Sequence, residues 1–415
     1  MKKYLIKFCL LLFISISGYA QYADPNFPIP ATGYGSNGLY TVAVESLVNL
    51  NFIGHPIKVY HPAEVTTAVP TIFYSHAYGG TDPENIIGIL EFIAKKGYAV
   101  VFVPYATANT VTIDERYQTL VNGFGRAATN YPDIIDTTRV GFLGHSFGGG
   151  ASFGISHQFF EEGWGTNGRF IYALAQWYSY IDPADLTTFP EDVKVLFEIF
   201  NDDDTNDHRM AVDIFNRINT PAAEKDFLLV SSSTVNGYNY VADHVLPNTA
   251  AAYDALDYYA YYRLLDALCD YTFNGNLDGK NVALGHGSVE QVTMPQGMGN
   301  LQQLNQPTVS YPQDHYLWRC DDEMNPRAEF CDDVTASTPP FVLNIVKLYP
   351  NPVNSSLSIE KIDSKSLDII ISNSLGRRIY QYNFDNKTTT LDVSNLERGI
   401  YFISINGILQ KFMKL

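Results

Sequence analysis

The sequence predicts an α/β protein: a doubly wound, mostly parallel sheet, followed by a loop-rich extension and a small all-β sandwich. Three observations carry this expectation. Between Thr71 and Ser231, short β-rich runs alternate with helix-like ones, as parallel strands joined by crossover helices require. From Asn274 to Pro340 that rhythm gives way to Gly, Gln, Asn and Pro. From about Phe341, short alternating strands separated by turn residues follow.

The elements are expected in this order. Tyr40–Ser46 and Ile57–Tyr60 are antiparallel edge strands, and Thr71–Ser75 is a buried strand. Asn85–Lys96 is a helix stopped by Gly97, a residue that tolerates the left-handed conformation of a helix end. Ala99–Pro104 is a strand, Ile113–Thr129 a helix, and Val140–Leu143 a short strand running into a glycine-rich turn. Phe170–Ala175, Lys194–Phe200 and Phe227–Ser231 are further strands, with helices after the last two, and Tyr253–Asp270 is helix-like. The C-terminal part holds Leu357–Ile359, Leu367–Ser372, Arg378–Tyr382, Thr388–Val393 and Ile400–Ile405 as strands. In sheets of this kind, ligands bind outside the carboxyl ends of the strands, so the loops after strands are where chemistry is expected.

Residues Met1–Ala20 have a different purpose. Lys2, Lys3 and Lys7 precede the apolar run Phe8–Ile16, which is too short to span a bilayer, and Gly18 and Ala20 supply the small residues of a cleavage site. This predicts a secretory signal peptide with Gln21 as the mature start. The expected organisation is 1–20 signal peptide, 21–273 α/β domain, 274–340 loop-rich extension and linker, and 341–415 β-sandwich. No later segment is apolar enough for stable membrane insertion. The chain carries a net charge of −17, with the acidic excess between the signal and the sandwich. That field repels nucleic-acid phosphates and anionic lipids, and no nucleic-acid partner is expected.

Export permits disulfides. Cys9 leaves with the signal, so Cys269, Cys320 and Cys331 remain. Cys320 and Cys331 are close in sequence and are the preferred pair. Cys269, in a helix-like run, is either a buried thiol or a partner of one of them.

The run Gly144-His145-Ser146-Phe147-Gly148-Gly149-Gly150 follows a predicted strand and precedes a predicted helix. A serine on such a turn sits on a strained backbone, and the flanking glycines remove side chains that would crowd it. Strand, Gly-x-Ser-x-Gly turn and helix together make the nucleophile elbow of the α/β-hydrolase fold, in which the N–H after the serine, here that of Phe147, binds an oxyanion.

A serine nucleophile needs an imidazole base, and the imidazole needs a carboxylate. In this fold the acid follows the serine and the histidine comes last. The loop Asn201–His208 offers four carboxylates. Asp204 is the expected acid from its distance beyond the strand, with Asp207 second. A cation bound by this acidic cluster is the competing reading. Of nine histidines, His244 has the right order and context, in a loop after the last strand. His145 is expected to point away from the serine, and His286 and His315 to be surface or capping residues. A second oxyanion N–H is expected from His76-Ala77-Tyr78-Gly79-Gly80, with Tyr78 first and Ala77 second, and His76 structural.

These residues also resemble a family. The elbow is similar to the Gly-His-Ser-Met-Gly-Gly-Gly elbow of bacterial cutinases and poly(ethylene terephthalate) hydrolases, with Phe147 in place of Met. Ala175-Gln176-Trp177 sits where that family has Ala-Pro-Trp, and the resemblance implies that Trp177 lines the acyl site. Asn201–Thr205, His244–Thr249 and Ser75–Tyr78 resemble its acid, histidine and oxyanion segments, although His76-Ala77 replaces Pro-Gly. The likeness spans roughly Thr71 to Cys269 and implies ester hydrolysis, with polyesters included, and favours Asp204.

The C-terminal part resembles a second family. Tyr349-Pro350-Asn351-Pro352, Ser374-Leu375-Gly376-Arg377, Leu396-Glu397-Arg398-Gly399-Ile400-Tyr401 and the basic tail at Lys411 and Lys414 are similar to the type IX secretion sorting domain of Bacteroidetes. The resemblance implies recognition by outer-membrane secretion machinery and a final location outside the cell.

Only Tyr178–Asp192 separates Trp177 from the next strand, too short for a helical lid, so an open cleft is expected unless the extension covers it. The expected function is an exported serine carboxylic-ester hydrolase acting on small or polymeric esters through Ser146, Asp204 and His244, with no cofactor and no metal. The alternatives are a secreted serine peptidase or amidase of the same fold, and a non-catalytic surface-binding protein.

Overall fold

Long apolar runs become strands buried on both faces when helices cover the sheet from both sides. In the computed structural model this applies to β3 (Val69–Ser75), β4 (Ala99–Phe102) and the C-terminal half of β5 (Ile135–His145). The structure describes residues 21–307, 311, 315–319, 322, 325–327, 346–361, 367–373, 378–384, 388–396, 398–405 and 408–415. The expected signal peptide, Cys320, Cys331 and the Ser374–Arg377 motif lie outside the described residues. Cys269 is a buried free thiol.

The remaining strands of the main sheet are β1 (Val42–Leu47), β2 (Ile57–Pro62), β6 (Arg169–Leu174), β7 (Lys194–Phe200) and β8 (Lys225–Val230). A hairpin, β9 (Ser233–Val235) and β10 (Tyr238–Tyr240), turns on Asn236-Gly237, both at positive φ. A ninth strand, β11 (Gln302–Gln303), completes the sheet, whose order is β1-β2-β4-β3-β5-β6-β7-β8-β11. The five pairings from β4 to β8 are parallel, whereas β1/β2, β2/β4 and β8/β11 are antiparallel.

Helices α1 (Ile87–Lys95) and α5 (Arg263–Asn274) pack on one face, into a core with Ile72, Tyr172 and Leu228. Helices α2 (Ile113–Asn130), α3 (Phe147–Glu161) and α4 (Arg209–Arg217) cover the other, around Phe73, Phe142 and Phe197. The start of α2 is fixed by a capping box between Thr112 and Glu115. Because the chain runs from β3 outward to β4 and then returns to β5 on the other side of β3, the winding reverses between β3 and β5. The loops leaving those two strands therefore diverge around a crevice, the position where open α/β sheets bind ligands.

The structure adds detail in two places. The stretch after Asn274 is not only loop: it contains α6 (Leu277–Ala283), α7 (Val289–Val292) and β11. It belongs to the same compact unit as the sheet, since the chain divides into Met1–Ala328 and Glu329–Leu415. Pairing of Gln302 and Gln303 with Leu229 and Leu228 ties it to β8. The strand before the elbow also begins at Ile135, well before Val140.

Among its described residues the second unit is all-β, with two more strands than expected. Strands β12 (Val346–Tyr349), β13 (Ser356–Lys361) and β16 (Thr388–Asp392) form one antiparallel sheet. Strands β14 (Leu367–Asn373), β15 (Arg378–Phe384), β17 (Gly399–Ile405) and β18 (Ile408–Lys414) form another. Val353, Leu357, Ile359, Ile371, Ile403 and Phe412 make its core.

Candidate active site

Strand β5 ends at His145 and helix α3 begins at Phe147, so Ser146 alone makes the turn between them. Its backbone adopts φ 57° and ψ −122°, a conformation that a side-chain-bearing residue takes only when its surroundings impose it. The glycines show how. A Cβ on Gly148 would lie 1.9 Å from the Ser75 carbonyl oxygen, and one on Gly144 would lie 2.2 Å from the Gly148 carbonyl oxygen. Without side chains there, the first turn of α3 presses against the end of β3. The elbow and the loop after β3 thus meet at the crevice.

His244 lies in the loop after β10 and bridges two groups. Its Nε2 is 2.9 Å from Ser146 Oγ, and its Nδ1 is 2.9 Å from Asp203 Oδ2. The acid position is therefore occupied by Asp203, and the expectation of Asp204 is corrected. Residue Asp203 is fully buried, and its Oδ1 accepts the N–H groups of Thr205 at 2.8 Å and Asn206 at 3.0 Å. Burial by itself would raise its pKa. The hydrogen bond and charge of His244, with the Asn206 N–H, outweigh burial and hold the carboxyl below the usual carboxylate range.

The other three carboxylates of the loop are accounted for elsewhere. Asp204 is exposed, with its side chain 3.4 Å from Thr205 Oγ1, and Asp202 accepts from Ser232 Oγ at 2.6 Å. Asp207 pairs with Arg209, whose Nε lies 2.8 and 2.9 Å from its two oxygens. The cluster therefore does not converge, and no group of three or more metal-ligating side chains occurs among the described residues. A turn from Asp203 N to the Phe200 carbonyl rotates the chain just after β7 and aims Asp203 inward, one residue earlier than its distance from the strand suggests. The Asx-type bonds from Asp203 to residues two and three further on are the local signal for this, but each aspartate of the loop could have made them.

His145 points away from Ser146 Oγ, as expected. Its Nε2 donates to the His244 carbonyl at 2.7 Å and its ring packs 4.9 Å from that of His244. Burial, and then the neighbouring His244, push its pKa down to about 3, so it is a neutral brace for the histidine loop. His76 is likewise structural: its Nε2 accepts the Tyr105 N–H at 3.1 Å, which leaves Nδ1–H to donate to the Ala77 carbonyl at 2.6 Å. Burial lowers its pKa to about 4.

Phe147 is the first residue of α3, where a helix leaves its N–H without an intrahelical partner. Tyr78 is half exposed in the loop after β3. Its hydroxyl donates to the Thr107 carbonyl and lies 3.3 Å from Asn109 Oδ1. The Arg116 guanidinium sits 5.1 Å from the Tyr78 ring and 5.7 Å from the Phe147 ring, and it donates to the Ala106 and Ala108 carbonyls. This network holds the Tyr78 loop next to the elbow.

Trp177 N–H donates to the Ser146 carbonyl at 2.7 Å, so the Trp is anchored to the backbone of Ser146. Its ring meets Trp318 edge-on at 5.1 Å. Between β6 and β7 there is only one short 3-10 turn, Asp185–Thr187, and no α-helix. The wall beside Trp177 comes instead from the C-terminal part of the unit. There His315 Nε2 donates to the Asp203 carbonyl at 3.0 Å, Leu317 N–H to the Asp204 carbonyl, and Tyr311 to Asn201 at 3.0 Å. His315, expected as a surface or capping residue, braces the acid loop. His286 does fit a peripheral role, 3.8 Å from Asp226. Sequence reasoning missed Asp203, Asn206, His315 and Trp318, because each depends on which way an irregular segment turns.

Comparison with known families matches residues 347–414 to the secretion system C-terminal sorting domain. No curated protein matches the chain. The sorting domain marks the protein for export through the type IX system of Bacteroidetes, to the cell surface or the medium. No helix of the described residues is long and apolar enough to cross a membrane.

Proposed function

We propose that this exported protein is a serine-dependent carboxylic-ester hydrolase of the α/β-hydrolase fold, acting through Ser146, His244 and Asp203. The observation that carries the reading is the unbroken chain Asp203–His244–Ser146, both links 2.9 Å, ending on a serine in strained backbone at the carboxyl end of a central strand.

Ser146 Oγ attacks the ester carbonyl carbon as His244 Nε2 takes its proton. The buried Asp203 carboxylate holds Nδ1–H and so keeps Nε2 free to accept that proton, then stabilises the imidazolium. The N–H groups of Phe147 and Tyr78 receive the carbonyl oxygen as it becomes an oxyanion. The imidazolium returns the proton to the leaving alcohol. Water then attacks the acyl-enzyme with His244 again as base, releasing the acid and restoring Ser146.

The short β6–β7 connection and the aromatic surroundings of Trp177, Trp318 and Tyr78 favour bulky esters, and on the resemblance of the elbow and Trp segment to cutinases we include polyesters. The test is labelling by a fluorophosphonate probe together with turnover of p-nitrophenyl esters, a polyester film and a peptide panel. Ser146→Ala should abolish labelling and lower ester kcat at least ~10³-fold. Near-wild-type turnover by that variant would refute the assignment. Peptide turnover without ester turnover would move the protein to the peptidases of this fold.

A further inference from the structure

The mechanism leaves one buried polar side chain at the nucleophile unused. Asn206 is 2% exposed, and its Nδ2 lies 2.7 Å from the Ala175 carbonyl oxygen and 3.4 Å from Ser146 Oγ. A carbonyl oxygen only accepts, so the atom beside it must be the NH2 group. This fixes the amide orientation. One N–H then goes to Ala175, whose own backbone is strained at φ 39°, and the other faces Ser146 Oγ.

On the reading of the site given above, we infer that Asn206 is a further catalytic residue that acts on the serine oxygen. A free serine hydroxyl is a rotor that donates in any direction. With Asn206 as donor on one side, Oγ must accept there, and its own proton is left to point at His244 Nε2. During attack the new Oγ–C bond forms while the O–H proton passes to Nε2. Negative charge gathers on Oγ before that bond is complete, and a hydrogen bond to a charged oxygen is stronger than one to a neutral oxygen. In deacylation the Oγ–C bond breaks, the electron pair returns to Oγ, and the proton on His244 returns with it. The same N–H then stabilises the departing oxygen. Asn206 therefore assists both half-reactions, while its backbone N–H separately anchors Asp203 at 3.0 Å and survives any side-chain change.

The test compares Asn206→Ala in two backgrounds. With Ser146 present, the variant should be labelled by a fluorophosphonate about tenfold more slowly than the parent protein, as expected for loss of one hydrogen bond to a charge-bearing oxygen, with KM for p-nitrophenyl esters unchanged. In a Ser146→Cys background, where there is no hydroxyl proton to orient and sulfur accepts hydrogen bonds only weakly, the same substitution should change the alkylation rate by iodoacetamide less than about twofold. An equal fall in both backgrounds would mean that Asn206 only supports the loop, and no fall with serine would mean that it does not act on Oγ. Either result overturns the inference. Failure of the probe to label the parent protein would instead overturn the hydrolase reading itself.

Discussion

Replacing Asp203 by asparagine should disable the site while leaving the fold in place, because the surrounding donors dictate how the amide must sit. Oδ1 of Asp203 faces two backbone N–H groups, those of Thr205 at 2.8 Å and Asn206 at 3.0 Å. An amide NH2 cannot take that position, since three donors would then meet. The carbonyl oxygen of the new side chain stays there, and the NH2 occupies the Oδ2 position, 2.9 Å from His244 Nδ1. Nδ1 must then accept, so the ring proton moves to Nε2. Nε2–H and Oγ–H now oppose each other, and no base remains to take the serine proton. Loss of the correct tautomer in a Ser-His-Asp triad lowers kcat by roughly 10⁴-fold, or ~5 kcal/mol of transition-state stabilisation. Asp204→Asn changes an exposed side chain and should alter kcat by less than about twofold, as surface substitutions generally do. The assay is steady-state hydrolysis of p-nitrophenyl butyrate by both variants, with circular dichroism to confirm folding. An inactive Asp204→Asn beside an active Asp203→Asn would refute the reasoning.

Other expectations follow from the same contacts. Gly148→Ala places a methyl group 1.9 Å from the backbone oxygen of Ser75, which cannot rotate away. The thermal midpoint should fall by the equivalent of about 3 kcal/mol, the upper end of overpacking costs, and fluorophosphonate labelling should be lost. Trp318→Ala removes the ring packed on Trp177 and should raise KM for bulky aromatic esters several-fold while sparing p-nitrophenyl acetate. Equal effects on both substrates would show that Trp318 acts only on stability. His76 and His145 are held by burial down to about 4 and about 3, against 6.5 when unfolded. Folded values depressed in this way give stability that is complete above about pH 6.5 and is lost as the pH falls towards those values. The unfolding midpoint should therefore drop between pH 6.5 and 5, and His145→Gln should flatten that slope. An unchanged slope would assign the loss to other groups.

Much of the fold was legible because its signals are local. Strand Lys194–Phe200 and the helix from Ile113 follow from the alternation of β-rich and helix-like runs, and the structure has them where the pattern puts them. The C-terminal β-domain was equally readable, since its motifs are short and occur in order. The Gly-x-Ser-x-Gly turn announced Ser146, because only an unusual backbone needs that many glycines around one serine. His244 followed from chain order and from its place after the last parallel strand.

The choice among four neighbouring aspartates was different. All four are acidic, all follow the same strand, and a shift of one residue in a turn reverses which side chain points inward. Burial and the two backbone donors select Asp203, and both are properties of the folded loop. The same holds for Asn206, His315 and Trp318, which reach the site from irregular segments with no periodicity to read. Ser146, His244, the elements that carry them and the export route could be read along the chain, because backbone geometry and local pattern encode these. The carboxylate that meets His244, the residue behind the Ser146 oxygen and the wall beside Trp177 emerge only in the fold, because they depend on how loops distant in sequence pack against one another.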